Sequence, residues 1–233
     1  MINEGTRIQA QLRRMADLGI GGMADIVIAD GGSKDGSLDP VLLRDAAVRA
    51  LLTKTDKGKL SAQLRIGYAF AIKEGYEGVV TIDGNGKDSV ESIPLFIQAL
   101  EDGIDYAQAS RFIPGGRAVN TPRLRDWAIK LLHAPVLSLA ARRRYTDTTQ
   151  GFRAYSRRYL THPAVQPFRD VFQTYELLAY LTVRASRLGL ATCEIPTTRS
   201  YPSAGPIPTK LNARGNLELV EILFRTLAGR YNP

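Results

Sequence analysis

The segment Gly78–Asp83 (GVVTID), followed by Gly84–Ser89 (GNGKDS), decides the fold class of this chain. A short apolar run that stops at an acidic, glycine-rich turn is typical of a buried strand that leads into a loop. The segment Ala24–Asp30 (ADIVIAD), followed by GGSKDGS, repeats the pattern. Because helical sequence separates the two runs, we expect parallel strands whose carboxyl ends open onto one ligand-binding crevice. Asp30 and Asp83 are therefore candidates to meet one ligand.

Predicted helices and strands alternate along the rest of the chain. Apolar spacing predicts helices at about residues 4–18, 40–49, 60–74, 89–101 (capped by Ser89), 175–188 and 216–227, and strands at 24–30, 50–55, 78–83, 105–110 and 190–201. This order predicts an α/β domain with a mainly parallel sheet and helices on both faces. Residues 111–122 (RFIPGGRAVNTP) are expected to form a mobile loop, and the helix that starts at Arg123 is expected to break near Pro135.

A sheet of this type normally opens with a strand before the first helix, whereas this sequence starts at MINEG. We expect that the first strand has been lost through truncation or a misassigned start. The alternative is a fold that tolerates its absence.

Composition narrows the function classes. A single cysteine, Cys193, excludes an internal disulfide and a cysteine-based zinc site, and two distant histidines make a histidine metal site improbable. No G-x-S-x-G motif of a serine hydrolase is present. The net charge of +8 indicates anionic ligands, namely nucleic acid, anionic lipid or phosphorylated small molecules, although no nucleic-acid-binding motif accompanies it. The sequence contains no uncharged apolar run of about 18 or more residues, the length that could span a bilayer. We therefore expect a cytoplasmic protein without an integral membrane segment, at most peripheral to a membrane.

Six short motifs run in order along nearly the whole chain. They are Asn3-Glu4-Gly5, Asp30-Gly31-Gly32-Ser33-Lys34-Asp35-Gly36-Ser37, Gln63-Leu64-Arg65-Ile66-Gly67, Asp83-Gly84-Asn85, Ser110-Arg111-Phe112, and Asp147 with Gly151-Phe152-Arg153. Together they resemble the motifs of the family 2 glycosyltransferases, in particular the polyprenyl-phosphate sugar synthases typified by dolichol-phosphate mannose synthase. The resemblance implies a GT-A fold and inverting transfer of a sugar from a nucleotide-diphosphate donor. It further implies a single catalytic domain over residues 1–233, in which 1–112 bind the nucleotide sugar and 113–233 face the acceptor.

The resemblance also implies roles for individual residues. Asp83 would hold a Mg²⁺ or Mn²⁺ ion that bridges the donor diphosphate and offsets the charge of the leaving group. Arg111 and Arg153 would be catalytic cations near the diphosphate or an acceptor phosphate, since the arginine fork holds phosphate oxygens well. Surface ion pairs are the alternative role for these arginines.

The remaining candidates would bind the donor. Asp30 would accept hydrogen bonds from the base or ribose, with turn capping as its alternative role. Arg65 and Glu4 would lie at the nucleotide, and Lys210 near a phosphate. Surface ion pairs are the alternative for the two cations.

Two residues depart from the family pattern at the D-x-D motif. Its second position is Asn85, and Lys87 stands where the synthases usually carry glutamine. Asparagine offers a metal only a neutral carbonyl oxygen, and a nearby ammonium repels a cation by about 4 kcal/mol at surface-like screening. Three outcomes are open. A metal ion could bind weakly through Asp83 and Asn85, or Lys87 could replace part of the charge of the metal ion. Alternatively, Lys87 could point to solvent. We predict weaker metal dependence than in a D-x-D enzyme.

The acceptor decides whether a catalytic base is needed. A polyprenyl phosphate is already an anionic nucleophile, and it is the acceptor that we expect. The loop Pro114–Asn120 (PGGRAVN) and the half-apolar helix after it could receive a lipid phosphate at a membrane surface, or that helix could simply pack on the sheet. A saccharide acceptor, as in surface-polysaccharide assembly, would require a base such as Asp88, Asp147 or Glu176. The third possibility is a non-catalytic nucleotide-sugar-binding protein.

Overall fold

The computed structural model describes residues 1–203 and 213–233. Within these ranges, three separate sheets form. Their strands are β1 (Ile26–Asp30), β2 (Val48–Thr53), β3 (Gly78–Thr81), β4 (Tyr106–Ser110), β5 (Arg117–Val119), β6 (Arg153–Ser156), β7 (Thr192–Pro196) and β8 (Thr198–Ser200). β1 and β2 are parallel, as are β5 and β8. The central sheet has the order β3-β6-β4-β7, in which β6 runs antiparallel to both neighbours.

Helices connect and cover these strands. They are α1 (Thr6–Asp17), α2 (Pro40–Asp45), α3 (Leu60–Lys73), α4 (Ile93–Glu101), α5 (Arg123–Ala128), α6 (Ala134–Ala141), α7 (Arg157–Leu160), α8 (Glu176–Arg187) and α9 (Ala213–Leu227). In α1, the predicted spacing buries Ile8, Leu12 and Met15 on one face.

Two hydrophobic cores lie on opposite faces of the central sheet. Along β4, Tyr106 belongs to one core and its neighbour Ala107 to the other, because successive side chains of a strand point to opposite faces. Tyr155 and Ala154 of β6 divide in the same way. Since β6 comes from the second half of the chain and lies between β3 and β4 of the first half, both halves share one sheet.

The predicted boundary between α2 and β2 is wrong. The carboxylate of Asp39 accepts hydrogen bonds from two backbone N–H groups and starts α2 at Pro40. The helix ends at Asp45 because Ala47 adopts a left-handed conformation with φ of 52°, and β2 already begins at Val48.

Four further predictions are corrected. Ser89 makes no capping bond, and a 3₁₀ turn at Val90–Ser92 precedes α4. The segment expected to be a loop contains β5. The helix after Arg123 does not break at Pro135 but contains a π-helical turn at Ile129–His133, which joins α5 to α6. The sequence from 190 to 201 forms two strands, β7 and β8, that reach different sheets.

Among residues 1–203 and 213–233, no strand joins the β1-β2 sheet to the four-stranded sheet. Within the described residues, β1 pairs with β2 only, and β3 pairs with β6 only, apart from hydrogen bonds of Met1 to the end of β1. A cavity of about 2100 Å³ lies between the two sheets and continues into the crevice at the carboxyl ends of the strands.

Candidate functional site

Asp83 lies just after β3, at the crevice, in an ion pair that the sequence did not predict. Its Oδ2 atom accepts a hydrogen bond from Nη2 of Arg199 at 3.1 Å. Nη1 of the same arginine lies 2.5 Å from both carboxylate oxygens of Asp88. Arg199, which β8 carries, is buried and therefore bridges two carboxylates.

The pKa values of the two bridged acids are shifted in opposite directions. Burial raises the pKa of Asp83, but the charges of Arg199 and Lys87 outweigh it, so the pKa lies below the usual value and Asp83 stays ionised. Burial raises the pKa of Asp88 above its usual value, since the attraction of Arg199 is partly offset by repulsion from Asp83.

Asn85 and Lys87 complete the turn after Asp83. The side-chain amide of Asn85 lies 3.4 Å from Oδ2 of Asp83, and its carbonyl oxygen accepts the backbone N–H of Lys87 at 3.2 Å. Lys87 is only 6% exposed, so the expectation that it could point to solvent is wrong. Its Nζ lies 5.1 Å from the centre of the Tyr201 ring. Burial, helped by the charge of Arg199, lowers the pKa of Lys87.

Tyr201 contacts two of the cations in the crevice. Its hydroxyl accepts a hydrogen bond from Nη1 of Arg125 at 2.9 Å, and the ring lies beside Lys87. Arg125 comes from α5, Lys87 from the turn after β3, and Arg199 from β8. Three cations from distant parts of the chain therefore line one crevice, where an anionic group would be stabilised.

The donor set at Asp83 does not fit a resident divalent cation. It offers one carboxylate, already paired with Arg199, and the neutral oxygen of Asn85, with Lys87 close by. Mg²⁺ and Mn²⁺ prefer several anionic oxygens. Among the described residues, no group of three or more His, Cys, Asp or Glu side chains is placed to hold a metal. A cation at Asp83 would compete with the guanidinium.

Gly151 explains part of the motif that precedes β6. A Cβ atom at this position would lie 2.4 Å from Oδ1 of Asp83, so any side chain there would collide with the carboxylate. Glycine is therefore required for Asp83 to keep its place beside Arg199.

The predicted donor-binding residues at the start of the chain lie in local contacts. The carboxylate of Asp30 is buried and accepts hydrogen bonds from the N–H groups of Gly32 and Ser33 and from the Ser33 hydroxyl. This is its alternative, turn-capping role. Glu4 is also buried, lines the cavity and pairs with Arg7 at 2.9 Å.

Arg65 does not lie free at a nucleotide site. It pairs with the exposed carboxylate of Asp170 at 2.6 Å and donates to the carbonyl of Phe172. Its alternative role, a surface ion pair, matches this position. Lys210 lies outside the described residues.

Arg111 and Arg153, predicted as catalytic cations, are both buried in structural contacts. Arg111 pairs with the fully buried Asp147, with Nε 2.7 Å from its Oδ2. Every side-chain nitrogen of Arg153 donates to a protein oxygen, three of these acceptors being the main-chain carbonyls of Thr148, Gln150 and Leu178. Neither arginine is the surface ion-pair partner that was its alternative, and neither guanidinium is arranged as an open phosphate fork.

The three candidate bases are also engaged. Asp88 is held by Arg199 and Asp147 by Arg111. Glu176 accepts hydrogen bonds from the N–H groups of Gln173 and Thr174, in the turn that precedes α8. None of them faces the crevice as a free carboxylate.

Comparison with known proteins places this geometry in a family. The chain is 30% identical over 181 residues to the undecaprenyl-phosphate mannosyltransferase of Micrococcus luteus, an alignment that covers 75% of this chain and 71% of that protein. It is 28% identical over 176 residues to the polyprenol monophosphomannose synthase of Mycolicibacterium smegmatis, covering 74% of this chain and 65% of the relative. It belongs to the polyprenyl-phosphate sugar synthases of glycosyltransferase family 2. No protein-family profile matches the chain.

Solved structures show the fold of this glycosyltransferase. Glucosyl-3-phosphoglycerate synthase of Mycobacterium tuberculosis, solved with Mn²⁺, UDP and glucosyl-3-phosphoglycerate, superposes with a TM-score of 0.66 at 18% identity, covering 99% of this chain and 77% of that one. The same enzyme with phosphoglyceric acid alone gives a TM-score of 0.67 at 18% identity, with the same coverage. The predicted GT-A fold is therefore confirmed.

Arg125, Arg199 and Tyr201 were missed by the sequence analysis. One signal was available for two of them: the run TTRSY places a charged residue and an aromatic at the end of an otherwise apolar strand segment. Only the fold reveals that β8 brings Arg199 to Asp83, more than a hundred residues earlier in the chain.

Proposed function

We propose that this glycosyltransferase moves a sugar from a nucleotide-diphosphate donor to a polyprenyl phosphate, with inversion at the anomeric carbon. Both curated relatives carry names of polyprenyl-phosphate mannosyl transfer, which makes mannose the first sugar to test. The crevice supports the donor class, because its cations suit a diphosphate.

The observation that carries the proposal is the double role of α5. One face of this helix delivers Arg125 to Tyr201 in the crevice. The same helix, continued through the π-helical turn, exposes Leu124, Trp127 and Leu131, which are 85%, 63% and 66% exposed. These positions recur at i, i+3 and i+7, so they form one apolar stripe. A stripe containing tryptophan suits the boundary of a lipid layer.

Basic residues accompany this stripe. Arg123 precedes it, Lys130 lies within it, and the exposed cluster Arg142–Arg144 follows α6. Positive charge beside an apolar stripe favours an anionic lipid surface. Among the described residues, no helix is long and apolar enough to cross a bilayer. The contact that we propose is made by the stripe, at the surface of the lipid layer.

The proposed reaction needs no catalytic base. An ionised phosphate oxygen of the acceptor attacks the anomeric carbon, the new C–O bond forms, and the bond to the nucleoside diphosphate breaks. The leaving diphosphate takes the electron pair, and Lys87, Arg125 and Arg199 offset its charge. A sugar hydroxyl would instead have to lose a proton, and Asp88, Asp147 and Glu176 are already engaged. This favours the phosphate over a saccharide.

Bound Mn²⁺ is a property of the solved neighbours, and their complexes support cation dependence in this fold. In this chain Asp83 and Asn85 occupy the D-x-D positions, but Arg199 already pairs with the Asp83 carboxylate, so these residues do not fit a resident ion. We propose that Arg199 and Lys87 supply part of the positive charge that Mn²⁺ supplies in the solved neighbours.

The acceptor assay tests the proposal. Nucleotide sugars that raise the melting temperature are selected first, because a specific ligand stabilises the folded state by mass action. Each is then offered with a short-chain polyprenyl phosphate, with the matching unphosphorylated polyprenol, and with saccharides. We expect labelled sugar to enter the organic phase only with the phosphate.

Two results would contradict the proposal. Transfer to a saccharide without transfer to polyprenyl phosphate would identify a polysaccharide-assembly enzyme. Donor binding without hydrolysis or transfer under any condition would identify a binding protein.

A further inference from the structure

Hydrogen bonds fix the backbone at Tyr201, the residue that follows β8. Its N–H donates to the carbonyl of Val119 at 3.0 Å, at the end of β5, and its own carbonyl accepts the side-chain amide of Asn120 at 3.2 Å. The preceding residue, Ser200, donates its N–H to the carbonyl of Lys87 at 2.8 Å. The side chain of Tyr201 is only 3% exposed. Tyr201 is therefore a fixed point between β5 and the turn that carries Lys87.

The side chain of Tyr201 offers a different group to each of two cations. Its hydroxyl oxygen accepts a hydrogen bond from Nη1 of Arg125 at 2.9 Å. Nζ of Lys87 lies over the ring, 5.1 Å from its centre, where the electrons of an aromatic face attract a cation. Burial raises the pKa of Tyr201, but the hydrogen bond from Arg125 and the charges of Arg125 and Arg199 outweigh it and lower the pKa. A substitution can remove the hydroxyl contact and leave the ring contact in place.

Helix α5 has little hydrophobic packing of its own. The structure describes all six of its residues, and none of them is buried. Most helices in proteins are held by an apolar face that packs on the core. Arg125, which is half-buried, instead links α5 to the fixed Tyr201 by a charge-assisted hydrogen bond. The hydroxyl of Tyr201 therefore helps to orient a helix that the core does not hold.

We propose that Tyr201 is a positioning residue for sugar transfer. Its hydroxyl fixes Arg125, and with it α5, at the acceptor side of the crevice, while its ring fixes Lys87 at the donor side. This role rests on the proposed transfer to a polyprenyl phosphate, because α5 also carries part of the apolar stripe that contacts the lipid layer. One rigid side chain thus sets the distance between the cation beside the acceptor and the cation beside the donor diphosphate, and such alignment of two reactants lowers the barrier to their reaction.

The first test uses Trp127, which lies on α5 and is the only tryptophan of the chain, so that its fluorescence reports on this helix. Tyr201→Phe removes the hydroxyl and keeps the ring. We expect the fast, nanosecond part of the fluorescence anisotropy decay of Trp127 to grow at least twofold in amplitude. Arg125→Gln should give the same increase, and the double variant should give no more.

Tyr180→Phe is the matched control for this measurement. Tyr180 is buried on α8, and its hydroxyl donates to the carbonyl of Val165 at 2.7 Å. Its substitution removes a buried tyrosine hydroxyl without touching Arg125. We expect the anisotropy decay of Trp127 to stay unchanged in this variant.

The second test separates the two substrates. We expect Tyr201→Phe to raise the KM for a short, water-soluble polyprenyl phosphate at least fivefold, while the Kd of the nucleotide sugar stays within twofold. Tyr201→Leu, which also removes the ring beside Lys87, should raise the Kd of the nucleotide sugar at least fivefold as well. In an Arg125→Gln background, Tyr201→Phe should change the KM less than twofold, because the hydroxyl acts through Arg125.

Three results would overturn the proposal. They are an unchanged anisotropy decay in Tyr201→Phe, an equal loss of nucleotide-sugar affinity in the Phe and Leu variants, and an equal rise in KM with and without Arg125. Absence of transfer to polyprenyl phosphate by the unmodified chain would contradict the proposed function instead. The anisotropy decay of Trp127 would still decide whether Tyr201 positions α5.

Discussion

Arg199 replaces the arrangement that the sequence predicts around Asp83. A second carboxylate at position 85 would leave a strongly acidic pair for a divalent cation, whereas with Asn85 the motif has one acid, Asp83, which pairs with Arg199. The buried Asp88 holds the other side of Arg199 and restricts its movement. The local charge of the crevice is therefore set by protein side chains before any substrate arrives.

Titration with Mn²⁺ tests whether the positive charge near Asp83 comes from a metal ion or from the protein side chains Arg199 and Lys87. We expect activity to rise only weakly with Mn²⁺, by less than about tenfold, which corresponds to about 1.4 kcal/mol of transition-state stabilisation. Asn85→Asp should strengthen the dependence, because it restores a second anionic ligand. Lys87→Gln should strengthen it as well, since a protein charge is removed.

Initial rates with and without chelator across a Mn²⁺ series provide the measurement, and Arg65→Gln is the matched control for loss of a cation away from Asp83. Dependence in the unmodified chain as strong as in the Asp variant would contradict the prediction.

At the scale of elements, local sequence patterns predicted the strands and helices that local interactions determine. β1 and β3 were located because their apolar runs end in acidic turns, and α1 because its buried positions recur at helical spacing. β6 was missed because RAYS is short and polar at both ends and pairs with strands far away in the sequence. The contact of Arg153 with the Leu178 carbonyl could not be predicted from its motif either, since Leu178 lies 25 residues away in α8.

The apolar stripe of α5 and the π-helical turn is the element to test for lipid contact. Changing Leu124, Trp127 and Leu131 to serine removes exposed apolar area that would otherwise contribute roughly 1.5–3 kcal/mol per side chain when buried. We expect co-sedimentation with anionic phospholipid vesicles to fall at least tenfold. Transfer to an acceptor embedded in vesicles should fall with it.

Leu95→Ser is the matched control, because Leu95 is 50% exposed on α4, away from the stripe. Transfer to a short, water-soluble polyprenyl phosphate should stay near the unmodified rate in every variant. Unchanged vesicle binding by the triple variant would show that lipid contact, if present, uses another surface.

At the scale of the whole molecule, one half-buried histidine should make global stability depend on pH. His133 sits in the π-helical turn, where burial lowers its pKa to about 4 despite the attraction of Asp147. Between pH 6.5 and 4 the unfolded chain binds the proton and the folded chain does not, so stability falls as the pH falls through this window. The loss approaches about 3 kcal/mol near pH 4.

Urea unfolding of the unmodified chain and His133→Gln measures this contribution. The difference in unfolding free energy between them should shift by about 2–3 kcal/mol in favour of the variant from pH 7 to pH 4.5. His162→Gln is the control for loss of a histidine elsewhere. A constant difference across the pH range would contradict the prediction.

Among the described residues, the edge of β1 that faces away from β2 bonds only to Met1, which has a practical consequence for handling this protein. Open backbone donors and acceptors bind any extended chain that reaches them, including an unfolded copy of the same protein. Preparations of the 233-residue chain should therefore lose soluble material faster as concentration rises, and heating should accelerate the loss. Yield and shelf life become sensitive to how the amino terminus is engineered, because a tag fused there lies at the mouth of the gap between the sheets.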